Sequence, residues 1–174
     1  MDNRRIAYSG IATALMIIST FIKFPFQPVP ITLQPFIVLI IPMIFGLKIS
    51  FTGIFTYILL GLIGLPVFAN GGGLSYFLQP TFGYLIGFLL ATIPISLISE
   101  KVSGLKGKLL GGLIGLVVIY TIGVLYLYFN INHIQNKTFP LTTALKVGFL
   151  LPVGFDFIKL IIACIIANKI NIKK

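Results

Sequence analysis

The chain has 174 residues, 57% of them hydrophobic and only 9% charged, with a mean hydropathy of +1.09. A soluble domain carries roughly 25% charged residues; a soluble fold of this composition would expose large apolar patches, and ample apolar surface to bury excludes disorder. Thirteen Lys and Arg against three acids give a formal charge of +10, but the cations fall mainly in short breaks between apolar runs, which points to membrane topology and not to nucleic acid.

About 20 predominantly apolar residues cross a bilayer as a helix. Breaks at charges, Pro and Gly predict six spans, at residues 6–22, 35–47, 50–65, 80–99, 109–129 and 147–168, in a single membrane domain over residues 1–174. The period-two alternation of a membrane barrel is missing, so the predicted fold is an all-α polytopic bundle. The first span follows Arg4 and Arg5, and Ala12-Thr13-Ala14 imitates a cleavage site. The apolar stretch from Ile6 to Ile11 is too short for the core of a signal peptide, and the segment is read as a retained helix.

The connection from Lys23 to Pro35 holds four prolines in thirteen residues. Proline removes a donor and fixes φ, so a stiff, extended segment is expected. Spans two and three, parted only by Lys48 and its neighbours, form a tight hairpin. The next connection, Gly64 to Pro80, is uncharged and apolar around Gly71-Gly72-Gly73. It is expected to be mobile at the glycines and to tuck into the bundle, as a re-entrant turn or as a lid over a small-molecule site.

Small residues recur at i+4 in Gly10/Ala14, Gly83/Gly87/Ala91 and Gly107/Gly111/Gly115, which lets helix backbones approach closely in lipid. Intramolecular packing explains most such pairs; Gly10 and Ala14, on an otherwise plain first helix, also suit a docking face for a partner. In the last span Pro152 can open a regular helix, placing Asp156 and Lys159 at i and i+3 on one face. Charges inside a span cost about 2.5–3.5 kcal/mol each on insertion scales and usually mark a functional site. A self-neutralising helix lock is the alternative. The pair falls in the outer half, where both unusual connections fold, so the three features converge on one cavity. There Lys suits a carboxylate and Asp suits N–H donors.

Six spans put both termini on one side. With that side inside, Arg4, Arg5, Lys48, Lys101, Lys106, Lys108, Lys169, Lys173 and Lys174 are cytoplasmic, while Lys23, Lys137 and Lys146 fall outside. That is the positive-inside pattern and predicts an N-in/C-in topology. No GxxxxGK[ST] occurs, so the chain has no P-loop, and the triple glycine does not open a dinucleotide-binding helix. His133 reads as a loop residue, Asn136-Lys137-Thr138 as a chance sequon and Cys164 as a small buried hydrophobe. No cofactor or metal site and no catalytic constellation is expected; an intramembrane enzyme would need one.

Four ordered stretches carry a resemblance: Val29-Pro30-Ile31-Thr32-Leu33-Gln34, Gly61 to Ala69, Pro80 to Phe88, and Leu151-Pro152 to Asp156-Phe157-Ile158-Lys159. Over nearly its whole length the chain resembles the BioY family, the biotin-binding S components of energy-coupling factor (ECF) vitamin transporters. The resemblance implies a six-helix bundle in a prokaryotic cytoplasmic membrane, embedded in the lipid bilayer, with a biotin pocket near the outer face. It implies lid loops carrying Pro30, Phe68, Gly71, Gly72 and Gly73, and polar biotin contacts at Asn70, Asp156 and Lys159, with Tyr84 and Gln34 as further pocket candidates. It also implies a T component, docked at Gly10 and Ala14, and two ATPase subunits that hydrolyse ATP on other chains. Gln79 and Phe82 depart from the family's Gly-Pro-Thr-Gly-Gly-Tyr pattern, and Gly10 stands where Ala is usual. An S component for a different vitamin, or a biotin subunit working without the ATPase module, is the alternative.

Overall fold

The apolar runs fold into six helices: α1 Asn3–Phe21, α2 Gln34–Phe45, α3 Leu47–Leu62, α4 Phe82–Lys101, α5 Gly104–Ile134 and α6 Leu141–Lys169. The structure, a computed structural model, describes residues 3–170; Lys173 and Lys174, counted above among the inside cations, lie outside the described residues. Helices α4, α5 and α6 are each long and apolar enough to cross a membrane, whereas α2 and α3 are apolar but have only 12 and 16 residues. At 1.5 Å per residue α2 rises about 18 Å, short of a hydrocarbon core of about 30 Å. Non-helical chain ahead of Gln34 makes up the difference, an arrangement tolerated at depth only where it is covered by protein or lines a cavity.

That non-helical stretch is the proline-rich connection. It forms a small antiparallel hairpin, β1 (Lys23–Phe24) on β2 (Ile31–Thr32), with Lys23 opposite Thr32, Phe24 opposite Ile31, and a cis Gln27–Pro28 bond between the strands. The Leu33 amide then donates to the Ile22 carbonyl at 3.0 Å, folding the end of the hairpin against the end of α1. Gly46 makes the corner from α2 to α3 at φ 75°, where residues with a Cβ are disfavoured.

The triple glycine lies in a turn held by backbone hydrogen bonds. Phe68 and Gly71 exchange both backbone hydrogen bonds, at 2.9 and 3.1 Å, and the Gly73 amide donates to the Gly61 carbonyl at 2.7 Å. A Cβ on Gly72 would strike the Leu65 carbonyl oxygen, so backbone closeness explains the glycine there. The side chains of Val67, Phe68 and Tyr76 are buried, as expected of an apolar loop beside the bundle. A short 3₁₀ turn, Leu74–Leu78, leads on to α4.

Helix ends differ from the sequence expectation where charge was used as a boundary. Helix α6 starts at Leu141 and runs through a π turn at Lys146–Leu150 before its regular part, Leu151–Lys169; α5 ends in a π turn at Asn130–Ile134. A lysine near a helix end can extend its ammonium towards water while its backbone stays helical, so Lys146 did not stop the helix.

Helix α2 is the centre of the bundle, buried from Ile37 to Met43 and packed on α1, α3, α4 and α6. The small-residue rows hold α4 against α5: a Cβ on Gly87 would lie 3.0 Å from the Ile119 Cα and carbonyl oxygen, and Gly111 lies as close to the Ile95 carbonyl. Helix α1 turns Ser9, Ala12, Thr13, Met16, Ser19 and Thr20 inward, while Gly10 and Ala14 are exposed. Nothing lies within 4 Å of a Cβ built on Gly10. Gly87→Leu is therefore expected to cost about 1–3 kcal/mol through overpacking, read as a lowered thermal unfolding midpoint in detergent. Gly10→Leu, into open space, should leave the midpoint unchanged or raise it.

Candidate functional site

Pro152 lies in the first turn of the regular part of α6, directly after the π turn; it has no N–H to give that turn, where the Gly148 carbonyl accepts from the Tyr84 hydroxyl. One turn on, Asp156 points into the bundle and is 3% exposed. A buried carboxylate needs donors on both oxygens. Lys159, one turn further, donates to Oδ1 at 2.6 Å, and the Tyr120 hydroxyl of α5 donates to Oδ2 at 2.6 Å. Lys159 Nζ also donates to the Thr32 carbonyl at 2.6 Å. One ammonium thus neutralises the acid and ties α6 to the proline-rich hairpin.

Asp156 forms part of the wall of a cavity at the end of the bundle where both connections fold. Pro30, Gln34, Tyr84, Phe88 and Tyr120 share that wall, and Val29, Ile31 and Ala69 lie beside its mouth. The cavity volume is about 50 Å³. Tyr84 stands edge-on to Tyr120, with ring centres 6.5 Å apart and planes at 87°, and Tyr120 meets Phe149 in the same way at 5.1 Å. Tyr84 donates its hydroxyl proton to the Gly148 carbonyl, 2.8 Å away in the π turn of α6, which leaves the ring as its surface towards the cavity. A largely apolar and aromatic slot with one ionised carboxylate is suited to a ligand with an apolar body and N–H groups. Two donors leave roughly two of the carboxylate's four lone-pair positions for such groups.

The structure brings Asp156, Tyr84, Gln34 and Pro30 together around the cavity. Gln34 is already engaged: its amide donates to the Tyr57 hydroxyl at 2.8 Å, and its oxygen accepts from the Thr32 hydroxyl at 3.1 Å. Its role in this arrangement is to hold the turn after β2. Lys159 stands behind the wall and acts through Asp156 and Thr32. Phe68 packs inward against Tyr57 and Tyr76 and is 2% exposed, so it anchors the glycine turn to the bundle. Asn70 is at the exposed tip of that turn, next to Ala69, whose carbonyl accepts a hydrogen bond from Lys23. Gly10 and Ala14 are far along α1 from this end.

Sequence reasoning missed Tyr120, Tyr76 and the Thr32 carbonyl. Tyr120 sits in an unbroken apolar run, and nothing in its neighbours marks it as the partner of an acid 36 residues later. Tyr76, in the 3₁₀ turn, lies 3.2 Å from the Thr81 hydroxyl. Burial pushes its hydroxyl above the ordinary tyrosine range, the Thr81 bond working against that shift, so it remains a neutral phenol. The departures from the family pattern lie off the cavity wall: Gln79 is exposed, and Phe82 packs edge-on to Phe77 at 4.5 Å and to Tyr126 at 5.9 Å. Among the described residues no group of three or more His, Cys, Asp or Glu side chains is placed to hold a metal ion.

Comparison with known proteins agrees with this geometry. The profile of the BioY family matches residues 1–173. The biotin transporter BioY of Thermotoga maritima is 40% identical over 169 residues, covering 97% of this chain and 96% of that protein. A probable biotin transporter BioY of Pyrococcus horikoshii is 35% identical over 172 residues, covering 98% of each. A crystal structure described as the S-component for biotin from an ECF-type ABC transporter superposes with a TM-score of 0.83 at 30% identity, covering 97% of this chain and 93% of that one. The chain belongs to the BioY family, and its six-helix membrane bundle has the S-component fold.

The Asp156–Lys159 pair makes a stability test possible. Asp156→Ala leaves a partly buried ammonium with only the Thr32 carbonyl, and is expected to cost about 3 kcal/mol. Asp156→Ala combined with Lys159→Met should recover most of that loss in a detergent unfolding assay.

Proposed function

We propose that this chain captures biotin from the outer side of a prokaryotic cytoplasmic membrane and carries it inward as the substrate-specific subunit of an ECF transporter. The observation that carries the reading is Asp156, an ionised carboxylate facing an aromatic cavity in a chain whose relatives are named biotin transporters. Biotin presents two ureido N–H donors, an apolar fused ring and a carboxylate tail. In this reading the remaining lone pairs of Asp156 accept the ureido N–H groups, and the rings of Tyr84, Phe88 and Tyr120 cover the bicycle. Lys159 keeps Asp156 ionised; its two bonds at 2.6 Å support that role over direct pairing with the ligand's tail.

The enclosed cavity is too narrow for a bicyclic ligand, so entry requires the roof to move. The roof consists of the β1–β2 hairpin and the glycine turn, cross-linked by Lys23 to the Ala69 carbonyl and held to α6 by Lys159. Opening it breaks the Lys23 and Lys159 bonds and, at the glycine turn, the Gly73–Gly61 backbone bond and the Tyr57 bond to Val67, but no helix. Closure over the ligand brings Asn70 from its exposed tip to the ureido or carboxylate oxygens and excludes water, which strengthens every polar contact inside.

For the inward step, the chain is placed N-in/C-in by its basic residues. Gly10 and Ala14, exposed on α1, provide the close-approach face for a T component, and ATP is hydrolysed by two ATPase subunits. The positions of Gln79 and Phe82 off the wall favour biotin over a different vitamin.

Equilibrium binding to the purified chain tests the substrate, with thiamine and riboflavin as controls. Saturable binding selective for biotin is expected. Asp156→Asn and Lys159→Met should each weaken it by about tenfold or more, the worth of a hydrogen bond to a charged group. Wild-type affinity in Asp156→Asn would remove the direct role of that residue, and binding of all three vitamins alike would remove the specificity. Ala14→Phe should leave biotin binding by the isolated chain intact while lowering uptake by the assembled transporter in cells.

A further inference from the structure

A second opening, of about 440 Å³, lies at the other end of α1. Arg5, in the first turns of α1, and Lys48, in the first turn of α3, both line it and are both exposed. Below them Phe51 and Thr52 of α3 and Ile93 of α4 form the walls. Ser9 lies on the α1 side, its hydroxyl directed at the Ile49 carbonyl at 3.4 Å. Helices α1 and α3 converge just beyond, where a Cβ on Gly53 would lie 2.6 Å from the Ala12 Cβ, and this close approach ends the groove. Among the described residues no acidic side chain lines it. Ile93 is eight residues, or about 12 Å, from the end of α4 at Lys101.

We propose that this groove binds one anionic phospholipid, with the phosphate between Arg5 and Lys48 and an acyl chain laid along Phe51 and Ile93. Two cations at a helix-end mouth complement a phosphodiester, and Arg can offer it two parallel N–H donors. The apolar trench leading down from that mouth matches the rest of the molecule: a free phosphate would leave it unfilled. A protein segment entering it would have to bring an acidic group and satisfy its own backbone polar groups at membrane depth. The groove lies on the flank of α1 facing α3, separate from exposed Gly10 and Ala14 and from every residue of the cavity.

The test is native mass spectrometry of the full chain released from detergent. Dioleoylphosphatidylglycerol and dioleoylphosphatidylcholine are titrated separately, and glycerol 3-phosphate serves as the headgroup alone. One phosphatidylglycerol should bind about tenfold or more tightly than phosphatidylcholine, the effect of two cations near one anion. Arg5→Gln with Lys48→Gln should abolish that preference, whereas Lys101→Gln with Lys106→Gln, outside the groove, should keep it. Ile93→Trp should weaken both lipids by filling the trench, and an unchanged thermal midpoint identifies each variant as folded. Equal binding of the two lipids, or a preference unaltered in the Arg5/Lys48 variant, would overturn the proposal. So would displacement of the lipid by glycerol 3-phosphate at equal concentration. An Arg5/Lys48 variant that keeps its lipid but no longer assembles with partner subunits would assign the groove to a protein instead.

Discussion

A carboxylate inside a membrane has to be neutralised and hydrogen-bonded, and the cavity end of this protein is arranged around meeting that requirement for Asp156. Lys159 supplies the charge and Tyr120 the second donor, both at 2.6 Å. Because those donors come from α6 and α5, and because Lys159 also holds the Thr32 carbonyl, one acid fixes two helices and the hairpin relative to each other. The same bonds leave the carboxyl group facing the cavity, so the groups that make it tolerable in the membrane also present it to that space.

A second constraint is the broken crossing at α2. Its twelve residues do not span the hydrocarbon core, and the irregular chain ahead of it needs partners for its polar groups. Gln34, Thr32, Tyr57 and Thr20 provide a connected set: Gln34 bonds Thr32 and Tyr57, and the Tyr57 hydroxyl lies 3.0 Å from Thr20 and donates to the Val67 carbonyl at 3.2 Å. This network joins α1, α2 and α3 to both roof segments. The scaffold beneath is held by close helix packing through glycines, whereas the roof is held by a few polar bonds.

Helix α1 presents two different faces. Its small and hydroxylated face locks onto α3, with Thr13 donating to the Gly53 carbonyl at 2.9 Å. Its other face, with Gly10 and Ala14, is smooth and outward, the shape a second membrane helix can approach closely. The basic groove lies at the start of the first face, where the helix meets the interface.

The amino-acid sequence by itself determined the class of the molecule, the number of helices and the charged pair inside the last span. Hydropathy over twenty-residue windows and charges stranded in an apolar run are local signals, readable without knowing what lies across the bundle. The four motif stretches identified the family for a similar reason, since each is contiguous in the chain. Tertiary structure alone decided which oxygen of Asp156 each donor takes, because Tyr120 is 36 residues away and ordinary in its own neighbourhood. It also decided that Gln34 bonds Thr32 and Tyr57, that Lys159 bonds Asp156 and the Thr32 carbonyl, and that Gly72 lies against the Leu65 carbonyl. Each of these depends on what a side chain meets across space, and in a sequence of nearly uniform apolar character there is no local contrast from which such a meeting can be read.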